Sequence, residues 1–172
     1  MRWLVVASVA LVGVVLLVAC TGALLPRDHL ATRRVRLHRS PAEVWAVIRD
    51  FGRAAEWRPD VKSVDLLGEV AGRPRFRENG GNGAILFEVV EEAAAARLVT
   101  RIADDSLPFG GTWTYELRAA DGGSELTITE RGEVKNVVYR ALARFVFTHH
   151  RTMEQYLRAL GRHFGEDLAP AP

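Results

Sequence analysis

The stretch "RSPAEVWAVIRDFGRAAEWRPDV", Arg39 to Val61, decides how this chain folds. Ser40 is an N-cap residue, because its hydroxyl can accept an orphan backbone N–H. Pro41 suits the first helical position, and Glu43, three residues after Ser40, completes a capping box. Val44, Val47, Ile48 and Phe51 recur at helical spacing, so one face is apolar. Gly52 is expected to stop the helix in a left-handed conformation. Pro59 keeps Arg58 out of helical geometry, so the second segment is short. Helices of three turns or fewer are not stable alone, and this pair must lie against something larger.

That larger body is read outward from the pair. Before it, "RRVRLHR" (Arg33–Arg39) alternates, with Val35 and Leu37 on one side, and predicts a half-buried strand. After it come "VKSVDLL" (Val61–Leu67), a weaker "RPRFREN" (Arg73–Asn79), "AILFEVVE" (Ala84–Glu91), "RLVTRIA" (Arg97–Ala103), "TWTYELRA" (Thr112–Ala119) and "SELTITERGEV" (Ser124–Val134). "GGNG" (Gly80–Gly83) and "DGG" (Asp121–Gly123) are hairpin signals. "EEAAAA" (Glu91–Ala96) has helical propensity, and a helical turn is possible there. From Asn136 to about Gly165, Val138, Leu142, Phe145, His149, Met153, Tyr156 and Leu160 step by three or four, one stripe along a long helix. The fold class is α+β: a curved antiparallel sheet of about seven strands, covered by the terminal helix.

This order resembles the helix-grip fold of the START-like, Bet v 1-like (SRPBCC) superfamily, and most closely its bacterial polyketide cyclase/dehydrase and lipid-transport branch. The resemblance rests on "SPAEVWAVIRDFGRAAEWRPDVKSV" with its Trp-x-Pro ending, on "PFGGTWTYEL" and "LTITERGEV", and on the closing helix. It implies a sheet wrapped round the long helix, a cavity between them, and the short helices with Trp45 and Trp57 as a plug at one end. Ordinary core packing would also account for both tryptophans.

Composition narrows the chemistry. There is no G-x-S-x-G, H-E-x-x-H, P-loop or G-x-G-x-x-G motif, and no cofactor is expected. Five histidines make no i, i+4 pair, and the single cysteine, Cys20, excludes an internal disulfide; no metal site is expected. Strand parity puts Glu130 on one face with Leu126 and Ile128, and Trp113 with Tyr115 and Leu117. If those faces look inward, Glu130 is a buried carboxylate needing a partner, with Arg77 and His149 as candidates. His149 lies on the helical stripe and, with Glu130, would form a general acid/base pair. A core histidine and a carboxylate at the sheet's wet rim are the plain alternatives. Phe87, Phe145, Met153 and Tyr156 complete the expected ligand-binding set of Trp45, Trp57, Trp113, Tyr115, Glu130 and His149, or else simply pack. The function expected is binding or transport of a hydrophobic small molecule or lipid; the alternatives are a cyclase/dehydratase-type enzyme and an interaction module with a filled cavity.

The N-terminus carries the remaining signal. "LVVASVALVGVVLLVACTGALL" (Leu4–Leu25) has no charge, and its 22 residues would span about 33 Å as a helix. Three readings stay open. An uncleaved transmembrane anchor would, by the positive-inside rule, put the domain in the cytoplasm, since Arg27, Arg33, Arg34, Arg36 and Arg39 follow the span. "LVAC" resembles a lipobox with Cys20 as the lipidated residue, which would put it outside. A cleaved secretory signal is the third. The anchor is preferred, giving a division into 1–26 (anchor or signal), 27–32 (linker), 33–166 (domain) and 167–172 (tail). Net charge is +2 and the arginines are scattered apart from the 33–39 run, so membrane headgroups and not nucleic acid are the expected anionic partner.

Overall fold

The capping box that starts the helix is present in full. In the computed structural model, which describes residues 2–81, 83–145 and 150–172, helix α2 runs Pro41–Arg49. The Glu43 amide donates to Ser40 Oγ at 3.3 Å, and the Ser40 amide donates to Glu43 Oε2 at 2.8 Å. Val44 and Ile48 are buried. Ser40→Ala removes half of this box and should lower the unfolding free energy by about 1 kcal/mol, read by urea titration. The helix ends earlier than expected. Asp50 is its C-cap, and Gly52 lies inside a 3-10 turn, Phe51–Arg53, without a positive φ. The reason is packing: Phe51 stacks on Phe76 with centroids 4.0 Å apart, which draws the chain onward instead of reversing it. Helix α3, Ala54–Trp57, follows.

The sheet has seven strands: β1 (Asp28–Leu37), β2 (Val61–Val70), β3 (Arg73–Gly80), β4 (Gly83–Ala93), β5 (Arg97–Ile102), β6 (Phe109–Ala120) and β7 (Gly123–Val134). Their order is β1-β7-β6-β5-β4-β3-β2, with every neighbour antiparallel. β1 and β2 are therefore the two edges, and α2, the 3-10 turn and α3 carry the chain from one edge to the other. β1 begins at Asp28, so residues 28–32, expected as linker, belong to the sheet. The possible helical turn at Glu91–Ala96 is instead a tight reversal between β4 and β5, with Ala95 at φ 55°.

Alternation sorts the side chains. Phe76, Phe87, Val89, Leu98, Tyr115, Leu117, Leu126 and Ile128 face the core, as do Ala31 and Val35 from β1. On the outer face Glu88 is buried under three guanidinium groups: Arg75 Nη2 at 2.7 Å, Arg73 Nη1 at 3.0 Å and Arg101 Nη2 at 3.0 Å. Hydrogen bonds from Arg75 and then Arg73 hold its carboxyl below its ordinary value. Its folded pKa is lowered, so its contribution is complete above the unfolded carboxylate range and is lost as pH falls through the folded value. Glu88→Gln should cost about 1–2 kcal/mol at pH 7, and the deficit should shrink below roughly pH 4, measured by unfolding of both proteins across acid pH.

The terminal helix is described in two parts, α4 (Val137–Phe145) and α5 (His150–His163). Met153, Tyr156, Leu157 and Leu160 bury the inner stripe of α5. The expected stripe does not extend to Val138, which is 36% exposed, while Ala141 is buried. The cause is a different neighbour: α4 packs on helix α1, Arg2–Leu24, and on the end of β7. After α5 the chain returns to the β1 edge. Leu168 is buried, and Ala171 pairs with Arg34 through backbone hydrogen bonds of 2.9 Å. α1 has 23 residues. Among the described residues, no helix is long and apolar enough to cross a membrane. The side chains at 4, 5 and 7–9 of α1 lie outside that description, as do those at 142–145 of α4.

Candidate functional site

The concave face of the sheet divides into a packed half under α5 and a half-covered half near α4. The packed half is built on Tyr156. Trp57 from α3 meets its ring edge-on at 5.1 Å, Trp113 does so at 5.8 Å, and the Tyr115 ring tilts against it at 5.7 Å. The Arg58 guanidinium lies 5.3 Å from the Tyr156 ring centre. Arg58 in turn donates from Nη1 to Glu78 Oε1 at 2.6 Å and from Nη2 to Asp60 Oδ2 at 2.7 Å. Glu78 faces inward because it is two residues from the buried Phe76. Burial pushes the Glu78 carboxyl above its ordinary value, an effect that Arg58 offsets only in part. Burial opposes the charge on Arg58 too, but Glu78 and Asp60 outweigh it and raise the guanidinium pKa. Arg58 Nε and Asp60 Oδ1 are buried without a hydrogen-bond partner among the described residues. Burial also raises both phenols, Tyr115 and Tyr156, so each stays a neutral hydroxyl at physiological pH.

The other half is polar. Glu130 shares the inner face with Leu126 and Ile128, as its parity requires, and lies opposite Trp113 and Ala31. His29 Nε2 is 3.2 Å from Glu130 Oε1, with side chains 18% and 21% exposed. Gly132 makes room for this imidazole: a Cβ there would strike the His29 ring. Beside them Arg33 Nε donates to Glu154 Oε1 on α5 at 3.0 Å. A carboxylate–imidazole pair on a half-covered concave surface can fix a tautomer and exchange a proton with a bound molecule.

The expected site residues are distributed as follows. Trp57, Trp113, Tyr115 and Tyr156 come together. Trp45 and Phe87 are half-buried and pack on the core, and Met153 is fully buried within it. The Phe145 side chain and His149 lie outside the described residues, so the His149–Glu130 pair does too. Arg77 is not the partner of Glu130. It pairs with Asp65 and Leu86 one residue from inward-facing Phe76, which turns it to the outer face. Sequence reasoning missed Arg58, Glu78 and His29. Glu78 was recoverable from its parity with Phe76; His29 was hidden by assignment to a linker. Two grooves of about 800 and 700 Å³ open elsewhere, the first along the outer strand ends with His29 at its border, the second beside the C-terminal tail. Among the described residues no His, Cys, Asp and Glu cluster could hold a metal ion.

A family model described as polyketide cyclase/dehydrase and lipid transport matches residues 28–165. No curated protein matches. Solved structures share the fold at low identity. A START superfamily protein from Mycobacterium smegmatis is 20% identical with a TM-score of 0.62, covering 78% of this chain and 96% of that one. The Zhui aromatase/cyclase from Streptomyces is 16% identical with a TM-score of 0.58, covering 78% and 90%. The di-domain aromatase/cyclase StfQ of steffimycin biosynthesis is 14% identical with a TM-score of 0.57, covering 78% of this chain and 49% of its own.

Proposed function

Since the chain belongs to the polyketide cyclase/dehydrase and lipid transport family, we propose that it binds a hydrophobic small molecule or lipid on the concave face, held beside a bilayer by α1. The observation that carries the binding reading is the half-covered inner surface, where half-buried Trp113 adjoins the polar pair His29 and Glu130. An apolar wall with few polar groups is what a hydrophobic ligand needs: area for affinity, hydrogen bonds for orientation. The tether reading rests on the uncharged run Leu4–Leu25 and the arginines that follow it, which favour a cytoplasmic domain. Cys20, exposed on α1, keeps the lipoprotein alternative distinct, and the intact mass of the mature chain separates the two.

Native mass spectrometry of the full chain, taken from its own host in mild detergent, tests the binding reading. A retained adduct of lipid or isoprenoid size, lost on denaturation, supports ligand carriage. A clean apo mass, with no uptake from host lipid extract, sinks it in favour of an interaction module. The 3.2 Å contact between His29 and Glu130 favours a second reading, a cyclase-type enzyme using that pair for proton transfer. In that case His29→Gln should keep ligand binding and abolish turnover.

A further inference from the structure

The joint between α1 and α4 has a role in neither reading. Among the described residues, Arg140 on α4 spends its guanidinium on four backbone carbonyls and on no carboxylate. Nη1 donates to Gly22 O at 3.3 Å and Leu25 O at 3.2 Å, Nε to Val134 O at 3.1 Å, and Nη2 to Lys135 O at 3.2 Å. A cation on the last carbonyls of a helix completes its C-terminus and favours the negative end of its dipole. Gly22 is buried with the Val137 backbone seated against it, leaving no space for a Cβ. Val18, Ala19 and Thr21 are half-buried on the same turns, while Leu11, Val12, Val14, Val15, Leu16 and Leu17 are exposed. Only residues 25–27 separate α1 from β1, a reach of about 10 Å. The Val134 amide closes that connection by donating to Arg27 O at 2.8 Å. The domain is thus clamped to α1 and has no slack to turn about it.

We propose that the α4 end of the domain is the face that meets the bilayer, and that the hydrophobic ligand passes between membrane and concave face beside α4. This rests on the tethered reading. Three observations select that end. It carries exposed apolar groups: Leu24 closing α1, Leu30 two residues into β1, and Val138 and Tyr139 on α4. Tyr139 is exposed on α4, and the cations Arg27 and Lys135 stand just before β1 and just before α4, a composition that suits the headgroup layer. The half-covered surface lies at the same end, because His29 is the second residue of β1, just past the short α1–β1 connection, and Glu130 is four residues before the end of β7. The opposite end is covered by α2 and α3, with Trp57 packed against Tyr156.

The test uses the full chain with Cys20→Ser and one new cysteine, either Tyr139→Cys on α4 or Ala42→Cys on α2, each labelled with bimane. Both proteins are reconstituted in phosphatidylcholine/phosphatidylglycerol vesicles containing spin-labelled lipid. The label at 139 is expected to be quenched severalfold more strongly than the label at 42. Equal quenching, or stronger quenching at 42, overturns the proposal while leaving the tether intact. A chain that fails to float with the vesicles overturns the tether and the proposal together. Gly22→Leu supplies a second reading. It should still float, and its label at 139 should lose the excess quenching, because α4 no longer seats on α1; retention of the full excess overturns the clamp.

Discussion

Arg58→Met is expected to lower the unfolding free energy at pH 7 by about 3–5 kcal/mol, the usual cost of leaving buried charge without its partner. Arg58 is the sole cation bonded to Glu78 and Asp60 among the described residues, at 2.6 and 2.7 Å. Methionine keeps the stem's volume against Tyr156, so the loss reports the charge and its hydrogen bonds and not a cavity. The sign with pH is distinctive. Burial already pushes the Glu78 carboxyl up, and Arg58 is what opposes this. Without Arg58 the folded value rises further above the unfolded one, and the native state takes up a proton first as pH falls. The variant should therefore regain stability between pH 7 and 5 while the parent changes less. Urea unfolding at both pH values decides. A variant as stable as the parent, or a deficit independent of pH, would mean that the pair is not buried in solution.

Tyr156 gives the second large effect. Its ring is the shared neighbour of Trp57, Trp113 and Tyr115, and its side chain is 5% exposed. Tyr156→Ala removes all three aromatic contacts and opens a cavity, for an expected loss of about 3–5 kcal/mol. Tyr156→Phe keeps the ring and deletes only the hydroxyl near Tyr115, for about 1 kcal/mol. The pair of variants distinguishes a packing role from a polar one in thermal or urea unfolding. Comparable losses in both would show that the hydroxyl, and not the ring, holds α5 to the sheet.

Local physics made much of the architecture legible. The Ser40–Glu43 box, the inward parity of Leu126, Ile128 and Glu130, and the buried stripe Met153–Tyr156–Leu160 all follow from rules spanning four residues or fewer. What the sequence hid was set by distant partners. The helix stop at Arg49 depends on Phe51 finding Phe76, and Val138 leaves the stripe because α4 packs chiefly on α1 and meets the sheet only at the end of β7. His29 illustrates the limit best. Nothing in "PRDHLAT" (Pro26–Thr32) announces a strand facing a carboxylate on β7. The pairing of Asp28 with Glu133 joins residues 105 positions apart, and no local period encodes it.

That same pairing sets a clock. Of the seven strands, β1 leaves the ribosome first and β7, its sheet neighbour, last. At roughly 5–20 residues per second, the 97 residues from Leu37 to Val134 take about 5–20 s to synthesise. Through that interval β1 lacks its strand neighbour. An unsatisfied edge invites pairing with a neighbouring nascent chain, and Arg34 and Arg36, which project from alternate positions of the waiting strand, supply the like-charge repulsion that discourages it. The arginines beside the proposed anchor thus have work to do before any bilayer orientation is settled: they keep the first strand solitary until the last one arrives.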